Sequence, residues 1–102
     1  MNYMTLVTHI FVLEGSILKR LECRSCKCTD SMMINVIKAA PQLNYLDLSH
    51  CQHITNRMLE EAVLLKESRT NNTILKIFAG GTSVDLNTLY RVSPFVVVDL
   101  TL

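Results

Sequence analysis

LNYLDLSHCQHITNRML, residues 43 to 59, changes its period halfway along. Leu46 and Leu48 are two apart, so on a strand they share a face, and Tyr45, Asp47 and Ser49 point to the other. From Thr55 onward the apolar residues recur at three and four: Met58, Leu59, Ala62, Val63 and Leu65 form one side of a helix. Glu60, Glu61, Lys66 and Glu67 occupy much of the opposite side, and Thr55 or Asn56 supplies the N-cap. The stretch therefore predicts a strand, a tight exit and a helix.

The same pattern returns along the chain. Leu18-Lys-Arg-Leu21-Glu-Cys23-Arg-Ser-Cys26 overlies its first nine positions, 25 residues upstream. Ile74-Leu75-Lys76-Ile77 overlies Tyr45-Leu46-Asp47-Leu48 at a spacing of 29, with Gly80 near the cysteine position and Asp85 as a candidate cap. Phe95 to Leu100 overlies Leu43 to Leu48 once more. Thr29 or Asp30 caps a run carrying Met33, Val36, Ile37 and Ala40, which stops before Pro41. A shorter helix is expected around Leu86 to Val92, before Pro94, and another over Met4 to Leu13. Arg69 to Thr73 reads as a polar turn that lengthens the second spacing.

Units of about 20–29 residues with L-x-x-L-x-L are leucine-rich repeats, each too small to bury its own apolar face. The expected fold is therefore α/β: one short solenoid domain of about 3.5 repeats, with parallel strands on the concave side and helices on the convex side. Residues 1–17 would end a partial repeat, 18–42, 43–71 and 72–94 would be repeats, and 95–102 would begin a truncated one.

Leu43, Leu46, Leu48, Cys51, Ile54, Thr55, Asn56 and Leu59 reproduce L-x-x-L-x-L-x-x-C-x-x-I-T-D/N-x-x-L. This resembles the cysteine-containing leucine-rich repeats of F-box proteins and of the related mitotic-exit antagonist group. Residues 18–30 look like a shortened copy, with Cys28 near the place of Ile54, and residues 72–86 like a weaker one. The resemblance implies substrate recognition for a cullin-type ubiquitin ligase. In that family a separate F-box segment binds the adaptor, and residues 1–17 are too short to hold one. The alternative is a structural or assembly factor, since the mitochondrial ATP-synthase-coupling repeat proteins look similar.

Cys23, Cys26 and Cys28, followed by His50, Cys51 and His53, invite a zinc reading. Repetition accounts for the thiols instead. Cys26 falls level with Cys51, and Cys23 takes an inward position level with Leu48. His50, level with Ser25 and Ala79, points away from its neighbour Cys51. No metal and no other cofactor is expected, and the thiols are expected to stay reduced.

A net charge of +1 with no run of basic residues argues against a nucleic-acid surface, and no apolar run is long enough to span a membrane. The opening residues lack the basic start of a secretory signal, so the expected compartment is the cytoplasm or nucleus, with mitochondria as the alternative. His9, His50 and His53 have no nucleophile placed beside them, and an enzyme is not expected.

Function is expected on the outward columns of the sheet. Taken at a spacing of 29, these are Arg20, Tyr45, Ile74 and Val97; then Glu22, Asp47, Lys76 and Asp99; then Arg24, Ser49, Phe78 and Thr101. Their aromatic and aliphatic members, flanked by charge, fit a protein-binding patch. The last strand, Val96 to Leu102, carries no cap in the sequence, and self-association through it is a further expectation.

Overall fold

The computed structural model describes residues 17–68, 72–88 and 93–101. The expected helix over Met4 to Leu13 lies outside them. Four short strands, β1 (Arg20–Glu22), β2 (Tyr45–Asp47), β3 (Leu75–Phe78) and β4 (Val96–Asp99), form one parallel sheet in chain order. Helix α1 (Asp30–Ala39) links β1 to β2, and α2 (Asn56–Glu67) follows β2. Between β3 and β4 the described residues form a single 3₁₀ turn, Leu86–Thr88. The third helix expected there is thus a 3₁₀ turn over its first residues, and residues 89–92 lie outside the description.

The inward residues of the sheet and one side of each helix meet in a single core. Leu46, Leu48, Leu75 and Ile77 pack with Met33, Val36 and Ile37 from α1 and with Met58, Leu59 and Ala62 from α2. Each of these is fully buried. At about 1.5–3 kcal/mol per fully buried large side chain, this layer is the main force holding the strands and helices together.

Both helices start as their sequences ask. Thr29 and Thr55 are extended N-caps whose hydroxyls accept the N–H groups of Met32 and Arg57, satisfying donors that a helix start leaves open. Lys66, assigned to the solvent side of α2, is instead 3% exposed. It lies three and four residues beyond Val63 and Ala62, so the helical period turns it inward. Its stem runs along the core while the ammonium donates to the Thr73 carbonyl at 2.9 Å.

The strand alignment corrects one expectation. Leu21 lies beside Leu46, Leu46 beside Ile77 and Ile77 beside Val98. The first and last units keep the expected alignment with β2, but the β2–β3 spacing is 31 residues and not 29. The reason is at the strand exits. Ser25 (φ 57°), His50 (φ 63°) and Gly81 (φ 75°) all take the left-handed conformation, and at a spacing of 31 they fall level. The backbone bonds agree: the N–H of Ser25 donates to Ser49, and that of His50 to Gly80, each at 2.8 Å. A spacing of 29 would put Ala79 at this position, where a β-carbon is costly and a glycine is not. His50 is therefore level with Gly81, and Thr82, not Gly80, follows at the place of Cys26 and Cys51. All three residues close the same tight turn, their N–H groups donating three residues back to Cys23, Leu48 and Ala79.

Candidate functional site

The site grows from the sheet face turned away from the helices. With the observed alignment, its first row is Arg20, Tyr45, Lys76 and Val97, and its second is Glu22, Asp47, Phe78 and Asp99. A third row at the strand exits runs through Arg24, Ser49, Gly80 and Thr101. The expected columns thus change in their third member. Lys76 replaces Ile74 in the first row, Phe78 replaces Lys76 in the second, and Gly80 replaces Phe78 in the third. Ile74 precedes β3; it points to the same face two residues before Lys76, 52% exposed and off the rows.

The alignment creates a contact that the expected columns did not contain. Tyr45 and Phe78 sit diagonally on adjacent strands, with ring centroids 4.9 Å apart and planes tilted by 45°. Under a spacing of 29 they would lie two rows apart, beyond contact. Each ring also carries a cation. The Arg20 guanidinium lies 3.8 Å from the Tyr45 ring centre, and the Lys76 ammonium 4.9 Å from that of Phe78. The result is an aromatic pair flanked by two charges, an arrangement that stiffens side chains otherwise free to move.

The charges are largely paired. Arg20 binds Glu22 at 2.6 Å, and Arg24 approaches Asp47 at 3.8 Å. Asp99 accepts both the N–H and the hydroxyl of Thr101, which, with Lys76 nearby, holds its carboxyl below the usual range. Two expected contact residues are not available to a partner: Asp47 is 5% exposed and Ser49 6%. Asp47 folds back to accept the Ser49 N–H at 3.0 Å, closing a local turn under the Arg24 side chain. Arg20, Glu22, Arg24, Lys76 and Val97 are exposed, and Tyr45, Phe78 and Asp99 are half-buried.

Gly80 leaves the third row without a side chain between Ser49 and Thr101. A β-carbon there would strike the Thr101 carbonyl, so β3 and the exit of β4 approach as only glycine permits.

The thiols lie under the strand exits. Cys23, Cys28 and Cys51 are buried, and Cys26 is half-buried. The Cys51 thiol donates to the Cys23 carbonyl at 2.9 Å. Burial pushes the Cys23 thiol up to about 12. The hydrogen bond to Cys51, and then burial, push Cys28 well above the ordinary thiol range. Among the described residues no group of three histidines, cysteines or carboxylates is arranged to hold a metal ion.

Sequence reasoning missed a second set of contacts, at the helix starts. The Asp30 carboxylate accepts the Thr55 N–H at 2.8 Å and the Thr55 hydroxyl at 2.6 Å. Asn56, one turn of the pattern later, accepts the Asp85 N–H at 2.8 Å and donates to the Asp85 carbonyl and the Thr88 hydroxyl. Asp85 in turn caps its own turn through the Asn87 N–H, as expected. The signal was the paired Thr-Asp and Thr-Asn: the first residue caps its own helix, and the second reaches the cap of the helix or turn that follows the next strand.

No family model matches the chain, and comparison with curated proteins and with solved structures returned no match. The chain's own geometry therefore carries the functional argument.

Proposed function

We propose that this chain is a short leucine-rich-repeat solenoid that works as a protein-recognition module, with the sheet face opposite the helices as its contact surface. The repeat reading is supported by three level left-handed exits, each the third residue of the same tight turn. It is supported further by the Thr-Asp and Thr-Asn pairs that join one unit to the next.

The observation that carries the binding role is the Tyr45–Phe78 pair on an open sheet face, braced by Arg20 and Lys76. Aromatic anchors within a polar rim are the composition of energetic centres in protein interfaces. The role is recognition without catalysis, in the manner of the F-box-type repeats that the sequence resembles, with a protein target held for ubiquitin transfer. Its compartment would be the reducing cytoplasm or nucleus, where three buried thiols stay as thiols. Self-association through β4 belongs to the same reading: among the described residues β4 is the outermost strand, and Val97 on its face is 45% exposed.

The test is affinity capture from cell extract with the wild type and with the Tyr45→Ala, Phe78→Ala double variant. The expected result is a partner lost from the double variant, with cullin-ligase components among those captured by the wild type. Identical captures would remove the sheet face as the contact surface. Partners confined to mitochondrial assembly complexes would favour the assembly-factor reading instead.

A further inference from the structure

The first two strand exits fall level, but the loops that follow them differ in length. Thr29 caps α1 four positions after the left-handed Ser25, whereas Thr55 caps α2 five positions after His50. The shorter loop brings Cys28 in against the second exit, and its thiol lies in hydrogen-bond contact with that of Cys51. Both side chains are buried. One strand further on, Ile54 and Thr82 stand in the corresponding places, and neither carries sulfur.

The surroundings of Cys51 suit a thiolate. As a thiol it donates to the Cys23 carbonyl at 2.9 Å. Ionised, it would accept the Cys28 thiol and, from the first exit, the N–H groups of Cys26 and Ser25. These donors, Cys28 foremost, draw its ionisation below the ordinary thiol range, against burial and the Asp47 carboxylate, while Cys28 keeps its proton. The other two sulfurs are placed differently. Cys26 directs its thiol to the Arg24 carbonyl at 3.5 Å, and burial holds the Cys23 thiol protonated.

From this juxtaposition we infer that Cys28 and Cys51 are a dithiol that closes to a disulfide under a peroxide, tying the start of α1 to the exit of β2. The Cys51 sulfur attacks one peroxide oxygen and the O–O bond breaks. The departing hydroxide takes up the proton that Cys51 released, leaving one water and a sulfenic acid on Cys51. The Cys28 sulfur then attacks the Cys51 sulfur, the S–O bond breaks, and the hydroxyl leaves with the Cys28 proton as a second water. Two thiols lose two electrons and two hydrogens, and one peroxide becomes two waters. Cys51 is buried beside the half-buried Cys26, so the oxidant must be small, and hydrogen peroxide is little larger than water.

The test treats the whole reduced chain with hydrogen peroxide, blocks the remaining thiols with an alkylating reagent in denaturant, and maps the tryptic peptides. Trypsin puts the four cysteines on separate peptides, 21–24, 25–27, 28–38 and 39–57. The expected product links 28–38 to 39–57 and is opened by dithiothreitol, with Cys23 and Cys26 still alkylated. Its yield should be several-fold higher from the folded chain than from the urea-unfolded one. Cys26→Ala should keep the link, and Cys51→Ala should lose it and leave Cys28 alkylated.

A link from 39–57 to 25–27, or oxidation that stops at a single cysteine, would overturn the inference. Loss of the link in Cys26→Ala would do the same. Equal yields from the folded and unfolded chain would also overturn it, since the contact would then have no part in the reaction.

Discussion

Replacing Asp30 by alanine asks whether the starts of α1 and α2 are locked together. The carboxylate takes two bonds from Thr55, at 2.8 and 2.6 Å, and is itself 9% exposed. Thr55 is the N-cap of α2, where no intrahelical partner waits for its N–H. Hydrogen bonds to charged groups contribute about 1.5–3 kcal/mol each, and two sharing one carboxylate do not add fully. Alanine should therefore cost about 2–4 kcal/mol. If Asp30 served only as an acidic residue in the first turn of α1, the loss would be about 0.3–1 kcal/mol. The two readings are thus separable by size.

Urea unfolding followed by circular dichroism measures the difference. With a slope of about 1–2 kcal/mol per molar, the midpoint should drop by about 1–4 M. Asp30→Asn should lose roughly half as much, because Asn56 already shows that an amide oxygen accepts the equivalent N–H at 2.8 Å. A loss below about 0.5 kcal/mol for alanine, or equal losses for alanine and asparagine, would refute the Asp30–Thr55 bond.

Four other outcomes follow from the same geometry. A double-mutant cycle on Tyr45 and Phe78 should give a coupling of about 0.5–1.5 kcal/mol in unfolding stability, as ring pairs do; a spacing of 29 between β2 and β3 requires none. Gly81→Ala should cost about 1–2 kcal/mol or more, since its φ is 75° and the new β-carbon would lie 2.5 Å from His50 Nδ1, whereas His50→Gly should be near neutral and His50→Val clearly destabilising; equal melting temperatures for all three would contradict the left-handed exits. In native protein a thiol reagent should modify Cys26 promptly and Cys23, Cys28 and Cys51 only on unfolding; and because Cys23 ionises near 12 when folded against 9.0 for the free thiol, its contribution to stability is whole below about pH 9 and is lost as pH rises toward 12. A flat urea midpoint over that range would exclude the buried Cys23 thiol.

The strand faces and both helices were legible because they rest on period alone. Leu46 and Leu48 two apart, and Met58, Leu59, Ala62 and Val63 at helical spacing, predict what is buried, and they are buried. The alignment of β3 was not legible, for a physical reason. Sliding a strand by two residues keeps every side chain on its face, so 29 and 31 satisfy the apolar pattern equally. The arbiter is backbone conformation at the exit, where Gly81 can turn left-handed and Ala79 cannot do so cheaply. At Lys66 charge and position disagree: a charged residue reads as exposed, but the helical period turns it inward, and it is buried. Asp47 and Ser49 were placed on the correct face, but alternation says nothing of the turn that folds Asp47 back onto Ser49 and covers both.

Neighbouring rungs of this sheet are separated by 25, 31 and 21 residues of chain, yet they stay level. The sheet is indifferent to how much polypeptide returns between rungs, because strand pairing is decided locally at Leu75, Ile77 and the Gly81 exit. Lengthening a return segment adds only the slow logarithmic penalty of closing a larger loop, about 0.6 kcal/mol for a doubling. Within a strand the situation reverses, since one added residue turns the inward set outward. Mutational tolerance along this molecule should therefore be graded by distance from the rungs, with length polymorphism confined to the segments that carry the chain back.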